Sequence, residues 1–275
     1  MSYEALHGLK PEYYQHPGEN TAMAIMKKIP LLDTLVKQVI DMSTQMTWVS
    51  KIVGDQFRIT EKTNPRIYNL YHTALRRLDM PEEYPLYCQL GYDYNAFTTG
   101  IDKPIIVLNS SMINALTDDE LLFTIGHELG HIKSGHMLYH SMAKLMTNTI
   151  GQVGKIGNAA SVALYFSLME WMRNAEYTCD RAGLIATGSI DPAITMTMKL
   201  MGHSNGIPFI DFSVDEVLKQ ESEFYEASSD LIGKILYVSY TATQSHPWSV
   251  LRLKQIKQWY DSGEYSALIE KYSKH

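Results

Sequence analysis

Apolar residues recur every three or four positions along most of the chain, a period that predicts amphipathic helices. The clearest stripe predicts a helix from Pro30 to about Val49; it consists of Leu32, Leu35, Val36, Val39 and Ile40. The same period, with proline or capping residues at the starts, predicts further helices over 65–78, 117–132, 161–186, 191–201, 213–240 and 247–259.

One region has the composition of β-strands instead. Residues 87–90, 94–98 and 104–108 are rich in aromatic and β-branched side chains, with Gly91 between the first two segments and a turn over 99–102. The last segment is continuously apolar, as in a buried strand. The pattern therefore predicts an α+β fold that is mostly α, with one small antiparallel or mixed sheet.

Composition narrows the class of protein. The chain has 275 residues, 45% of them hydrophobic, which is enough to bury a sizeable core. A formal net charge of −6 argues against a nucleic-acid partner, which requires a basic surface. There is no internal repeat or linker, so we expect an N-terminal helical segment, residues 1–60, packed on a domain of residues 61–275.

Features that bear on location are few. The first residues lack a basic segment followed by an apolar run, so no signal peptide is expected. One disulfide between Cys88 and Cys179 is possible, but so few cysteines favour a reducing, cytoplasmic location. The apolar run at 159–169 is far shorter than the ~20 residues of a membrane-spanning helix. It is compatible with peripheral membrane contact.

One predicted helix carries two histidines in an HExxH pattern. Residues four apart share a helix face, so His127 and His131 can bind one zinc ion. Glu128 is then placed to accept a proton from the attacking water. HExxH is short and also occurs by chance. The capping pattern at Thr117, the preceding strand and the small Gly126 and Gly130 favour a metal site here.

A catalytic zinc ion usually has three protein ligands. The metzincin pattern would need Gly at 134 and His at 137, but the sequence has Ser134 and Met137. His136 lies five residues after His131, about 140° around an ideal helix. It and His140 are therefore interpreted as structural or solvent-facing.

A better third ligand lies in the second long helix. Glu176 and Asp180 are one turn apart, so both face the same way. Glu176 can bind the metal while Asp180 accepts a hydrogen bond from the second nitrogen of a ligand histidine. The alternative is an ordinary solvated helix face, but the upstream HExxH favours the ligand.

Four stretches together resemble the M48 family of gluzincin metallopeptidases, which includes the CAAX prenyl protease and the bacterial membrane heat-shock protease. They are HELGH at 127–131, ExxxD at 176–180, Asn95-Ala96-Phe97 followed by Thr99-Gly100, and Ser245-His246-Pro247 followed by Arg252. The resemblance implies a zincin-like metallopeptidase domain with one Zn²⁺ per chain.

The resemblance also implies a role for each matching residue. His127, His131 and Glu176 would be the metal ligands, Glu128 the general base and Asp180 an outer-shell partner. His246 would stabilise the oxyanion, supported by Arg252. An edge strand containing Asn95, Ala96 and Phe97 would pair with the substrate backbone. Two features depart from the family: its well-known members span membranes, and Cys179 stands where many relatives carry alanine.

The expected function is a zinc-dependent endopeptidase acting on a peptide or protein substrate. The alternative is a latent or non-catalytic protein that uses the same fold to bind peptides or partners. An acidic helical stretch at 211–230 that could cover the cleft motivates this alternative. The sequence predicts neither the oligomeric state nor the cleavage preference.

Overall fold

A computed structural model describes residues 5–29, 32–43, 47–150, 159–202, 213–227 and 241–273. The helices are α1 Pro17–Met26, α2 Leu32–Ser43, α3 Thr47–Asp55, α4 Pro65–Arg77, α5 Ser110–Ala115, α6 Asp118–Lys133, α7 Met137–Ile150, α8 Ala159–Thr187, α9 Asp191–Leu200, α10 Val214–Ala227, α11 Ser249–Asp261 and α12 Glu264–Tyr272. The strands are β1 Phe57–Ile59, β2 Leu86–Gln89, β3 Ala96–Thr99 and β4 Ile105–Asn109.

The four strands form one mixed sheet in the order β1-β2-β4-β3. β2 and β4 are parallel, whereas β1 pairs antiparallel with β2 and β3 pairs antiparallel with β4. Every residue of β4 is buried, as its continuous apolar run predicts. The α+β prediction is confirmed: the fold is mostly helical, and its one small sheet has β3 at an edge.

Helical side chains pack on both faces of the sheet. Ile106 and Leu108 of β4 face the main core, which includes Ile67 of α4 and Ile125 of α6. The alternate β4 residues pack with Ile52 of α3. Because side chains alternate along a strand, β4 contributes buried side chains to the apolar clusters on both faces of the sheet.

Several predicted elements differ from the observed ones. The helix predicted from residue 30 to about 49 is two helices, α2 and α3, with 44–46 outside the described residues. Of the helix predicted over 213–240, α10 is described, while 228–240 lies outside the described residues. β1, α5, α7 and α12 were not predicted; a strand as short as β1 carries too little of its own period to be recognised.

The N-terminal helices pack on the rest of the chain. Ala22 and Met26 of α1 share a buried cluster with Leu168 and Trp171 of α8. In the same cluster, α2 contributes side chains that pack near Met142 of α7. The division of the chain at residue 60 stays a prediction.

The apolar run at 159–169 begins α8. Leu164 and Leu168 are buried, whereas Val162 and Phe166 keep 44% and 43% of their surfaces exposed. In the part of the chain that the structure describes, no helix combines the length and the apolar character needed to cross a membrane.

The acidic stretch at 211–230 is described from 213 to 227 and contains the whole of α10. Val217 of α10 is buried in a small cluster with Val250 and Leu253 of α11. This face of α10 is therefore fixed against α11 by apolar contacts. Residues 211–212 and 228–230 lie outside the described residues.

Helices α6 and α8 approach each other closely at glycine. A Cβ placed on Gly126 of α6 would lie 2.4 Å from the Cβ of Ala186 and 3.2 Å from the Cα of Gly183, both in α8. Real Cβ atoms do not come so close, so only glycine fits at this position.

Replacing Gly126 by alanine should therefore destabilise the fold by about 1–3 kcal/mol, because the two helices must separate. Urea unfolding followed by circular dichroism measures the change. Gly54→Ala is a matched control, since a Cβ at Gly54 of α3 meets no atom within 4 Å. Equal stability of the two variants would contradict the close approach.

Candidate active site

The start of α6 is fixed by a capping box. The Thr117 hydroxyl accepts a hydrogen bond from the Glu120 N–H at 3.3 Å, and the Glu120 carboxylate accepts one from the Thr117 N–H at 2.8 Å. Lys199 of α9 forms a buried ion pair with the same carboxylate at 2.7 Å. With its first turn held in this way, α6 carries His127, Glu128 and His131 into the interior, where all three are buried.

Three side chains converge on one point between α6 and α8. His127 Nε2 and His131 Nε2 are 3.3 Å apart. Glu176 Oε2 lies 3.4 Å from His127 Nε2, and Glu176 Oε1 lies 3.4 Å from His131 Nε2. Zinc–nitrogen and zinc–oxygen bonds of about 2.0–2.2 Å give a tetrahedron with edges of about 3.3–3.6 Å. The donor separations therefore fit a tetrahedral zinc ion.

The electrostatics of this cluster favour a cation. Burial opposes the ionisation of Glu176, but the nearby His246 and the close contacts with His127 and His131 outweigh it, so the pKa of Glu176 is well below its usual value. Burial lowers the pKa of His127, but its contacts with Asp180 and Glu176 outweigh burial and raise that pKa to about 10. Glu176 Oε2 is buried without a well-formed hydrogen bond. A metal ion would satisfy this oxygen.

Asp180 lies behind His127. Its Oδ1 is 3.0 Å from His127 Nδ1, the ring nitrogen that faces away from the cluster. The guanidinium of Arg252, from α11, donates to both carboxylate oxygens of Asp180, at 2.9 and 2.5 Å. The family resemblance implies that Arg252 supports His246; in the structure Arg252 binds Asp180, and its Nη1 lies 3.8 Å from Glu176 Oε2.

Glu128 lies on the sheet side of the cluster. The Thr98 hydroxyl of β3 donates a hydrogen bond to Glu128 Oε2 at 2.7 Å. Thr98 lies between the predicted residue Phe97 and Thr99 and was not singled out in the sequence. Alternation along β3 could have indicated it, because residues 96 and 98 point to the same face of the sheet.

His246 lies at the open side of the cluster. Its side chain is 64% exposed, and its Nε2 is 3.7 Å from Glu176 Oε1. The Ser245 hydroxyl lies 2.9 Å from His246 Nδ1. Arg173 of α8 donates to the carbonyl oxygens of Thr241 and Gln244 at 2.7 and 2.9 Å, which fixes the segment before His246. Neither Ser245 nor Arg173 was predicted to take part.

The predicted substrate strand forms the edge of the sheet. Asn95 immediately precedes β3, and its carbonyl accepts a hydrogen bond from the Asn109 N–H at 3.0 Å. Ala96 and Phe97 belong to β3 and are half-buried. Since β3 also carries Thr98, which donates a hydrogen bond to Glu128, this strand contacts the Glu128 carboxylate directly.

Both cysteines are free, so the disulfide that the sequence left open does not form. Ligand atoms of His127, His131 and Cys179 lie within 4.8 Å of one another, which makes Cys179 a rival third ligand. Burial raises the pKa of the Cys179 thiol well above its usual value, and its sulfur lies 3.6 Å from His136 Nδ1. The anionic Glu176, with an oxygen near each Nε2, is the better donor.

Two histidines downstream of HExxH also lie near the cluster. His136 is fully buried, so the solvent-facing interpretation is wrong for it. The ring centroid of His140 lies 4.7 Å from that of His131. Helix α6 ends at Lys133, and a turn at Gly135, with a φ of 70°, directs the chain back. The angle calculated for a continuous helix therefore does not apply to His136.

Comparison with known proteins finds similarity to metallopeptidases. The profile of peptidase family M48 matches residues 61–260. Plastoglobule-localized metallopeptidase 48, chloroplastic, from Arabidopsis thaliana is 30% identical over 267 residues, which cover 96% of this chain and 76% of the relative. A Protease HtpX homolog from Salinibacter ruber is 29% identical over 139 residues, 43% of this chain and 50% of that protein. No solved structure matches significantly.

Proposed function

Because the chain belongs to peptidase family M48 and is a metal-dependent protease, we propose that it is a zinc endopeptidase with His127, His131 and Glu176 as metal ligands. The observation that carries this assignment is the convergence of their donor atoms at 3.3 to 3.4 Å from one another. One Zn²⁺ per chain satisfies this donor set. When bound, zinc supplies Lewis acidity that lowers the pKa of water and polarises the scissile carbonyl.

In this proposal Glu128 is the general base. Its buried carboxylate accepts a proton from the attacking water and then delivers it to the leaving nitrogen of the peptide. The Thr98 hydroxyl, bonded to Glu128 Oε2, leaves Oε1 for this exchange and fixes the orientation of the carboxylate. Glu128 does not need to bind the metal, because Glu176 completes the donor set.

His246 donates a hydrogen bond to the oxyanion that develops at the scissile carbonyl. Its exposed ring lies beside Glu176, on the side from which a peptide can approach. The Ser245 hydroxyl lies 2.9 Å from Nδ1; in this proposal it donates to Nδ1, so that Nε2 carries the proton that is needed. Arg252 holds Asp180, and Asp180 fixes the ring of His127.

The substrate binds as an extended strand along β3 in this proposal. Main-chain hydrogen bonds to a sheet edge give affinity with little dependence on the side chains of the substrate. Asn95, Ala96 and Phe97 lie on this edge, next to Thr98 and the base that it orients. The substrate is accordingly a peptide or a protein segment in an extended conformation.

The proposal is tested with the purified protein by zinc analysis and by digestion of a broad peptide library. We expect one zinc ion per chain and internal cleavage of peptides that a strong chelator abolishes. Stoichiometric zinc with no cleavage of any library peptide would favour the non-catalytic alternative. Cleavage that persists in the metal-free protein would contradict the whole assignment.

Thr98→Val should lower kcat by about tenfold with little change in KM, because it removes the hydrogen bond that orients Glu128 and keeps the shape of the side chain. Thr98→Ser keeps the hydroxyl and is the matched rescue. Steady-state kinetics on one fluorogenic peptide measures both variants, with zinc content as the check on the metal centre. Equal kcat values for the valine and serine variants would show that the hydroxyl has no positioning role.

Cytoplasmic location and peripheral membrane contact stay predictions. The name of the Arabidopsis relative places that protein at plastoglobules, and this chain exposes Val162 and Phe166 near the start of α8.

A further inference from the structure

A chain of buried hydrogen bonds leads from His131 to the N-terminal helix. His131 Nδ1, the nitrogen facing away from the donor cluster, lies 3.1 Å from His136 Nδ1. His136 Nε2 lies 3.1 Å from Glu19 Oε1 of α1. The Thr178 hydroxyl of α8 donates to Glu19 Oε2 at 2.5 Å. All four side chains are buried, so these contacts are shielded from water.

The turn after α6 creates this arrangement. The His136 N–H donates to the His131 carbonyl at 3.0 Å, and the Gly135 N–H donates to the Ile132 carbonyl at 3.0 Å. These two bonds are those of a Schellman motif, with glycine in the left-handed conformation. The motif reverses the chain just after α6, so His136 returns to lie beside the ring of His131.

Metal binding by His131 would determine the proton positions along this series of hydrogen bonds. A histidine that binds a metal through Nε2 carries its proton on Nδ1. The His131 Nδ1–H must therefore donate, and His136 Nδ1 must accept. A neutral His136 then carries its proton on Nε2, where the Glu19 carboxylate accepts it. Every nitrogen and oxygen in the series has a partner of the correct kind.

We propose that Glu19 and His136 are positioning residues of the metal centre, and that α1 is therefore part of it. This inference rests on the proposed function, since it takes His131 as a zinc ligand. His136 holds the His131 ring at the angle that directs Nε2 to the metal, and the Glu19 charge increases the basicity of His131 through His136. Outer-shell carboxylates act on metal-bound histidines in this way.

The two ligand histidines are supported differently. Asp180 binds His127 Nδ1 directly, and Arg252 neutralises Asp180. At His131 a second imidazole intervenes, and the carboxylate comes from a segment before residue 61, where the family match begins. An isolated buried carboxylate would be strongly unfavourable. Glu19 tolerates burial because His136 and Thr178 bind its two oxygens.

The experiment compares His136→Phe with His140→Phe in the full-length protein. Both rings pack against His131 and Trp171, but of the two, His136 is the one bonded to His131 Nδ1. In competition with a chromophoric chelator, His136→Phe should bind zinc about 10–100-fold more weakly. His140→Phe should bind like the wild type. Equal affinities of the two variants, with zinc bound by the wild type, would contradict the positioning role of His136 but leave the proposed function intact.

A second pair of variants covers the case in which His136→Phe fails to fold. Glu19→Gln keeps an acceptor for His136 but removes the charge, so zinc affinity should fall in the same direction and by less. Glu12→Gln, an exposed acid just before α1, is the matched control and should have no effect. A wild-type zinc affinity for Glu19→Gln would contradict the proposed effect of the Glu19 charge on the metal centre.

The tautomers are measurable in the wild-type protein by nitrogen-15 NMR of the histidine rings. We expect His131 protonated on Nδ1 and His136 protonated on Nε2. A proton on His136 Nδ1 would contradict the proposed hydrogen bonds from His131 to Glu19, whatever the zinc affinities of the variants. A wild-type protein that binds no zinc would instead contradict the proposed function, and with it this inference.

Discussion

Replacing Glu128 by glutamine should leave zinc bound and lower kcat by about 10²–10⁴-fold, the usual contribution of a general base. Glutamine has nearly the shape of glutamate, and its amide oxygen can still accept the hydrogen bond from Thr98. It cannot accept a proton from water. The effect therefore isolates proton transfer from packing.

The measurement is kcat on a fluorogenic peptide together with zinc content. Asp119→Asn is the control, because it removes an exposed acid from the first turn of the same helix. That variant should cleave at the wild-type rate. If Glu128→Gln did so as well, Glu128 would have no role as a base.

Glu176→Gln should have the opposite profile, with zinc affinity falling by more than about 100-fold, beyond the range typical of outer-shell changes. The neutral amide is a poor zinc ligand, and two of the donor contacts within 3.4 Å belong to this carboxylate. The two glutamates lie in one site, and the same isosteric change is made to each. Loss of metal in one variant and loss of proton transfer in the other would separate their roles.

Chelator competition measures the affinity of this variant, and Cys179→Ser provides the comparison. Serine replaces the buried thiol of the rival ligand with little change in shape. Cys179→Ser should keep zinc if Glu176 is the third ligand. Zinc that is retained by Glu176→Gln and lost by Cys179→Ser would move the third ligand to Cys179.

The sequence predicts those parts of the site that depend on local spacing. HExxH lies on α6 behind its capping box, and Glu176 and Asp180 lie on one face of α8, because four residues make about one helical turn. Membership of family M48 supports the zincin-like metallopeptidase fold that the four stretches imply. The edge position of β3 agrees with the predicted substrate strand, whose role stays a proposal.

The residues that were missed depend on tertiary structure. His136 was judged by its angle on a continuous helix, but the chain leaves α6 before reaching it. Glu19 is 117 residues from its partner His136, and no short pattern joins two positions so far apart. Arg252 was assigned to His246, whereas the packing of α11 brings it to Asp180. Such pairings exist only after the helices have packed.

The residues of the site are far apart in the sequence and are therefore made at different times during synthesis. Translation proceeds from the amino terminus, so Glu19 leaves the ribosome before His127 and His131, and Glu176 and then Arg252 follow. A nascent chain that stops short of Glu176 has only two of the proposed donors. Cleavage activity would therefore arise only after Glu176 of α8 has been made and has packed beside His127 and His131 of α6.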